Sequence, residues 1–577
     1  MPQKSPFTIN IPQTDVLTYV FPEGKEPSDQ PIWIDAANTE NSLSPKQLLY
    51  WVKRLGLGLD NAGIKQNEAV LIYSSNHIFV PVAYFGIAGS GRVFSGCNPA
   101  YGVVETSFQI ENTGARMIFV EPQYLDVVLR AAERAKFPKD RIYLFNDVPC
   151  QEQSGIKDWE MMMGSEAESQ KWQWHRMTPR ESKERVAVLN YSSGTTGLPK
   201  GVMISHSNVI ANVEQSLYMR HLEQPYTHPS QAPPERWLGF LPLYHAYGQL
   251  WSITAAAVNH TPCFYMRTFN WTEWLSHLQS HRVTHIQTAP PILVMLAKRP
   301  ETARYDLSSL TNILCGAAPL SKELQNEVSE KFNLRVCQTW GMTEVVCSCL
   351  HVPGGRDDRS GSVGYIDPNS EMKLLDEEGR EVGPGERGEI HVRGPNVCLG
   401  YWRNEKATRE TFDEEGFMRT GDVAVRDEEG WYWIVDRKKE LIKVKGFQVA
   451  PAELEAVLLE NEHVADAAVV ALQGEYEELP RAYVALKEES KGKVTEAQIV
   501  KWTAQQVAKH KRLDGGVKFI DEVPKVSFLL QPLKGHQSGS LITVVFQSPS
   551  GKIQRKIMRD WAKRDAEEMR GQAKAKL

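Results

Sequence analysis

One twelve-residue stretch, Tyr191-Ser192-Ser193-Gly194-Thr195-Thr196-Gly197-Leu198-Pro199-Lys200-Gly201-Val202, constrains this chain more than any other. It follows an apolar run, Val186 to Leu189, that reads as a buried strand. Residues 192–201 contain four hydroxyl side chains, three glycines and one lysine. Glycine lets backbone N–H groups converge on an anion, hydroxyls donate further hydrogen bonds, and lysine neutralises charge. The stretch predicts a loop that grips the phosphates of a nucleotide. It is not a Walker A loop, which needs Gly directly before Lys and Ser or Thr after it. Here Pro199 precedes Lys200 and Gly201 follows.

A chain of 577 residues is too long for one core, so two or more domains are expected. The net charge of −5 gives no basic footprint for nucleic acid, and no apolar run reaches membrane-spanning length. The eight cysteines include no C-x-x-C pair, and Cys347-x-Cys349 is too close for a zinc knuckle, so they read as reduced intracellular thiols. The first residues lack the apolar core of a signal peptide. Ala575-Lys576-Leu577 is a conservative variant of the Ser-Lys-Leu address read by the peroxisomal import receptor. A peroxisomal location is therefore expected, with the cytoplasm as the alternative.

Residues 1–185 alternate strand and helix: a strand over 69–73, an apolar helix over 80–87, a strand over 117–120. Residues 150–184 read as a polar surface connection, and 222–235, with four prolines, as a loop. From about 370 short alternating strands and acidic turns predict a β-rich subdomain. Gly383 to Gly388 satisfies G-x-G-x-x-G but opens no helix, so no dinucleotide site is expected there. Near Asp436 a C-terminal domain begins, with a helix over 452–460 started by Pro451, strands over 464–471 and 481–486, and an amphipathic helix over 498–509.

The stretch at 191–202 resembles the signature of the adenylate-forming superfamily of acyl- and aryl-CoA ligases, luciferases and peptide-synthetase adenylation domains. Further matches follow in the family's order: Gln338 to Glu344, Thr420-Gly421-Asp422, Asp436 to Lys443, Lys445 to Gln448, and Ser550-Gly551-Lys552. The subgroup that looks nearest is the 4-coumarate–CoA ligase branch. The resemblance implies an α/β fold: layered α/β sheets and a small β-barrel subdomain (about 370–436) in an N-terminal AMP-binding domain, 1–436. A smaller, mobile α+β C-terminal domain, 437–577, follows. It also implies that ATP converts a carboxylic acid to an acyl-AMP, which coenzyme A then captures as a thioester. A stand-alone adenylation enzyme that loads a carrier protein is the alternative, as is a catalytically impaired nucleotide-binding protein.

Bringing an anion onto a polyanion needs a cation, preorganised donors and exclusion of water. On the family pattern Ser192, Ser193, Gly194, Thr195, Thr196 and Lys200 hold the β- and γ-phosphates. Glu344 ligates Mg²⁺, a hard cation suited to carboxylate oxygen, and Thr343 bonds the α-phosphate. Gly316 and Ala317 form the adenine-side loop with Gln338 near the base, Asp422 accepts the ribose hydroxyls, and Arg437 supports the ribose and phosphate side. Lys552 bridges carboxylate and α-phosphate. Lys439 is the hinge, Lys443 and Gln448 serve the two half-reactions, and Lys445, Gly446 and Arg267 contact CoA. Tyr244, His245, Tyr247, Gly316, Ala317 and Val345 line the acid pocket, with His245 as its gate. Val345 to Cys349 lacks the glycine and proline common in 4-coumarate ligases, which supports an apolar pocket for an aryl or medium-chain acid.

The family pattern is interrupted once. Between Asp521-Glu522-Val523-Pro524-Lys525 and Ser548-Pro549-Ser550-Gly551-Lys552 lie 22 residues, Val526 to Gln547, and deleting them restores the pattern. Val526-Ser527 is encodable with a splice-donor GT and Gln547 with a terminal AG, so the stretch reads as a retained in-frame intron of 66 nucleotides, with a natural loop as the rival. Leu541 to Phe546 is apolar, uncharged and β-prone, an aggregation hazard when exposed.

Overall fold

The computed structural model describes residues 2–192, 199–226, 231–444, 447–474, 478–524 and 553–575. Ala69–Tyr73, buried at every position, is the centre of a six-stranded sheet. Its order is Ile142–Leu144, Met117–Val120, Ala69–Tyr73, Val93–Cys97, Val186–Ser192, Lys200–Ser205, parallel except for the last hairpin. A nine-stranded sheet stands beside it. Its central strands, Trp33–Asp35, Cys263–Tyr265, Trp237–Gly239, His285–Thr288, Asn312–Cys315 and Arg335–Trp340, run parallel. The helix Val80–Gly89 is apolar all round and buried at all ten positions, as a helix enclosed in a core must be. At Gly86 a Cβ would come within 2.7 Å of Leu55 Cδ2, so a side chain there would part the helices. Residues from both sheets share one large core.

The β-rich region is a five-stranded antiparallel sheet, ordered Gln3–Lys4, Glu371–Leu375, Gly388–Arg393, Met418–Arg426, Tyr432–Arg437. It is open rather than the expected closed barrel. The edge strand from Tyr432 bonds to the 363–364 segment (Val363 N to Tyr432 O, 2.8 Å; Tyr432 N to Gly364 O, 3.0 Å), so Gln3–Lys4 stays at the opposite edge. Gly383 to Gly388 is a turn that leads into the strand Gly388–Arg393, with no helix behind it.

The last sheet, Val464–Gln473, Glu478–Leu486 and Val517–Ile520, accompanies the helices Pro451–Glu460, Glu496–Gln506 and Arg555–Ala575. Pro451 occupies the first turn, where its missing N–H has no partner to lose. Thr495 and Gln498 form a capping box that starts the next helix two residues before its expected start, and its α-helical part ends at Gln506. The 150–184 stretch is more than a surface connection. Trp159 is 1% exposed against Phe79, Phe119 and Phe145, and Glu166–Lys171 and Pro179–Glu184 are helical. Its polar composition hid several anchors, since Trp174 also packs on the core and Ile156 and Met177 are buried.

Candidate active site

The strand Val186–Ser192 ends where the hydroxyl-rich loop begins, and Lys200–Ser205 returns beside it with Ser192 opposite Lys200. Glu344 meets this corner. It lies in a single 3₁₀ turn, Thr343–Val345, is 6% exposed, and its Oε1 accepts from Tyr401 Oη at 2.9 Å and Ser192 Oγ at 3.4 Å. Lys200 Nζ sits 4.9 Å from the Tyr401 ring centroid. Burial and the Glu344 charge both raise the Tyr401 hydroxyl's pKa, so it stays a donor. Tyr401 is a site residue that sequence reasoning missed. Segment 399–402 is stitched to the Lys200–Ser205 strand by Leu399 N to Met203 O, Met203 N to Gly400 O and Trp402 N to Gly201 O, each 2.8–2.9 Å. Two segments two hundred residues apart thus build one corner, and no local pattern announces that pairing.

Asp422 is 5% exposed and is held between Trp340 Nε1 (3.0 Å to Oδ2) and Arg437 Nε (3.0 Å to Oδ1). The two residues assigned separate ribose-side roles are thus brought together, with Trp340 as a third member. Ala317 has a φ of 69°, in the left-handed region, and Gly316 lies against Thr339 and the Tyr247 ring. Gln338 is placed beside this loop, but its amide nitrogen faces Gln325 Oε1 (2.8 Å) and Leu320 O (3.1 Å). In this arrangement Gln338 braces the loop, because a buried amide takes the partners its neighbours offer.

The predicted acid-pocket wall divides in two. Tyr247 is buried and donates its hydroxyl to Leu314 O at 2.9 Å, on the nine-stranded sheet. Tyr244 packs instead against Gly96 of the six-stranded sheet, with Cys97, Tyr101 and Tyr124 as neighbours that together with burial push its pKa up. His245 stands between them, exposed, and caps the short helix Ala246–Gly248 through Nδ1 and Tyr247 N at 3.4 Å. The three residues therefore span the cleft between the sheets. Val345 is fully buried. Val346 adopts φ 67° and ψ −60°, and Cys347 N donates to Val345 O at 2.9 Å, a γ-turn of the rare, strained hand. For a β-branched residue this conformation costs on the order of 1–3 kcal/mol. Asn212 and Asn396 hold the turn through the Ser348 carbonyl at 2.7 and 3.0 Å.

Residues Gln249–Ala255 are π-helical, a form that clusters at functional sites. The Ser252 carbonyl accepts from Trp33 Nε1 (3.2 Å) and Tyr265 Oη (2.7 Å). Gln249 forms a reciprocal amide pair with Asn190 at 2.8 and 3.0 Å, both side chains buried. Asn190 lies on the strand Val186–Ser192, so the pair ties the base of the hydroxyl-rich loop to the helix Gln249–Ala255.

Arg267 departs from expectation. Its guanidinium contacts Glu121 (2.7 Å), Asn146 (3.0 Å) and Asp147, whose carboxylates are 5% and 3% exposed. Two buried carboxylates neutralise it, so it is not a free cation for a CoA phosphate. Arg267→Met should leave both unpaired and cost about 3 kcal/mol of stability, measured by urea unfolding. The KM for CoA should stay within about twofold of the parent; a tenfold rise would restore the CoA role.

The described part of the C-terminal region meets the larger part at several points. Lys298 Nζ donates to Leu459 O at 3.0 Å, and Lys443 Nζ is 3.7 Å from Glu377 Oε1, exposed and away from Glu344. Lys439 is also exposed. Asp436 is buried, accepts from Ala452 N at 3.1 Å and Arg437 N at 2.7 Å, and is pushed up to about 6 by burial. The folded state thus holds this proton more tightly than the unfolded chain. The resulting stability is fully present below the ordinary carboxyl value and is lost as pH rises through about 6. Asp436→Asn should remove that fall, a difference of about 2–3 kcal/mol between pH 4 and 7, read from urea midpoints across pH. Ser193, Gly194, Thr195, Thr196, Lys445, Gly446, Lys552 and residues 526–547 lie outside the described residues, and Gln448 is described only as backbone, opposite Lys443.

A cleft between α/β sheets, a hairpin that meets a buried glutamate, and a buried aspartate paired with an arginine fit the class of enzymes that adenylate carboxylic acids. The AMP-binding enzyme pattern matches residues 23–402, and the C-terminal-domain pattern of the same enzymes matches 453–527. The chain belongs to the AMP-binding enzyme family. It is 36% identical over 552 residues to the acyl-CoA synthetase ACTT5 of Alternaria alternata (92% of this chain, 87% of that protein). It is 34% identical over 533 residues to the phenylacetyl-CoA ligase epaB of Aspergillus niger (90% and 95%). The anthranilate CoA ligase AuaEII bound to anthranoyl-AMP shares the fold at a TM-score of 0.78 and 22% identity, covering 95% of this chain and 97% of that one. The chain is an AMP-forming acid–thiol ligase: ATP activates a carboxylic acid to an acyl-AMP and coenzyme A takes the acyl group as a thioester.

Proposed function

We propose that the acid is an aryl or medium-chain acyl acid and that the residues gathered above carry out its two-step ligation. The observation that carries this reading is the Tyr247 ring, which packs against Gly316 at the end of the strand Asn312–Cys315 and gives the cleft an aromatic wall. The carboxylate attacks the α-phosphorus of ATP, a P–O bond forms, the α,β-bridging P–O bond breaks, and pyrophosphate leaves. Ser192 and Lys200 orient the departing phosphates with the loop between them, and Thr343 donates to the α-phosphate. Asp422, braced by Trp340 and Arg437, takes the ribose hydroxyls. Lys552 neutralises charge at the α-phosphate and carboxylate. In the second step the thiol sulfur of CoA attacks the acyl carbonyl, the C–S bond forms as the C–O bond to AMP breaks, AMP leaves, and the thiol proton passes to solvent. The C-terminal domain turns at Lys439 between the steps and exchanges Lys552 for the Lys443–Gln448 face, a gating motion.

Glu344 fits a divalent cation. Its carboxylate lies at the loop's mouth, and among the described residues no three His, Cys, Asp or Glu side chains converge on a metal site. Mg²⁺ suits such a place because it takes one or two carboxylates and fills its shell with phosphate oxygens. Bound there, it would lower the charge on the phosphates under attack. We further propose import into peroxisomes through Ala575-Lys576-Leu577, tested by locating a fluorescent fusion with and without that tripeptide.

A panel of carboxylic acids, scored by ATP-dependent pyrophosphate release and by the mass of the CoA product, tests the substrate class. Aryl and medium-chain acids should give thioesters, and acetate and malonate should not. Thioester formation confined to short or dicarboxylic acids would overturn the proposal.

A further inference from the structure

The parallel strands of the nine-stranded sheet carry the proposed site at their C-terminal ends. At the opposite ends His285, Asn312 and Arg335 stand side by side as the first residues of three strands. A cavity of about 40 Å³ opens there, roughly four strand residues or 13 Å from the active-site loops. Since one water needs about 10–15 Å³, it has room for a particle larger than one water.

Its lining is rich in donors. Trp251 Nε1 and Arg220 Nε are both buried N–H groups that meet no acceptor among the described residues. Arg335 gives its N–H groups to Arg356 O, Pro353 O, Asn312 Oδ1 and Cys337 Sγ, so none of its partners among the described residues is a carboxylate. Glu235 faces the cavity too, but Arg220 pairs with it, and His285 lies 3.7 Å from it. Burial, reinforced by Arg220, holds His285 down to about 3, so it is neutral. His351, 5% exposed, donates from Nδ1 to Asp367 Oδ1 at 2.7 Å, which leaves Nε2 of the neutral ring an acceptor, so it lines the cavity without adding a donor. Buried donors without acceptors are destabilising, each by about 1–3 kcal/mol. An acceptor-only ligand would relieve both Trp251 Nε1 and Arg220 Nε at once.

We infer that this cavity, framed by Arg220, Trp251 and Arg335, is a second binding site that takes a small monovalent anion of halide or short-carboxylate size and fastens the large domain at the end remote from catalysis.

The test uses the full chain. Crystals grown with sodium bromide should show an anomalous peak within hydrogen-bond reach of Trp251 Nε1 or the Arg335 guanidinium. In solution, replacing sodium gluconate by sodium bromide or sodium acetate at constant ionic strength should raise the Tm by several degrees along a one-site saturation curve. Gluconate is too large to enter. Trp251→Phe, which removes one donor, and Arg335→Gln, which removes the charge but keeps an amide, should each weaken the apparent affinity at least tenfold. No peak in the cavity, or the same salt response in the parent and both variants, would overturn the proposal.

Discussion

Lys552→Ala is expected to lower acyl-AMP formation roughly 10²–10³-fold, the usual loss when one charge-stabilising group leaves a reacting centre. Neighbouring cations are poorly placed to compensate. Arg437 is paired with Asp422, Lys200 lies over the Tyr401 ring, and Lys443 sits beside Glu377. Capture of supplied acyl-AMP by CoA should persist near the parent rate if, as proposed, that step uses the Lys443–Gln448 face instead. Pyrophosphate exchange reads the first step and thioester yield from synthetic acyl-AMP reads the second. Loss of both would remove Lys552 from its assigned role.

Excising residues 526–547 is expected to raise adenylation about 100-fold, since a misplacement of about 1 Å costs that much in rate. The C-terminal-domain pattern matches up to 527, two residues into the interruption, and Lys552 lies on its far side. Stability should change by only about 1–2 kcal/mol, because a longer surface loop adds little closure entropy. Equal turnover by both forms would identify the stretch as a benign loop. Transcript sequencing supplies the independent check: a retained intron should be absent from most messages.

Much of this was legible in the residues. Ala69–Tyr73 and Val80–Gly89 are apolar without interruption, and a segment of that kind has nowhere to go but a core. Motif order singled out Asp422, Arg437 and Glu344 one by one, but not the pair or the corner they form. What escaped was set by tertiary contact. Tyr401 reaches Glu344 because two distant segments zip together, and Trp340 reaches Asp422 across 82 positions. Arg267 looked like a spare cation until Glu121 and Asp147, from other strand ends, surrounded it. The Val346 γ-turn violates the preference of a β-branched residue, so no propensity argument predicts it.

The clamp at the start of the last helix has a practical consequence. Arg555 grips Glu455 through both terminal nitrogens and also reaches the Val469 carbonyl at 2.9 Å. Only two residues, Ile553 and Gln554, separate it from Lys552, three residue steps or roughly 10 Å at full stretch. The lysine's delivery is therefore steered by how its whole domain docks. A compound wedged into the interdomain seam would act as a doorstop, disarming the ligase without competing for the ATP pocket.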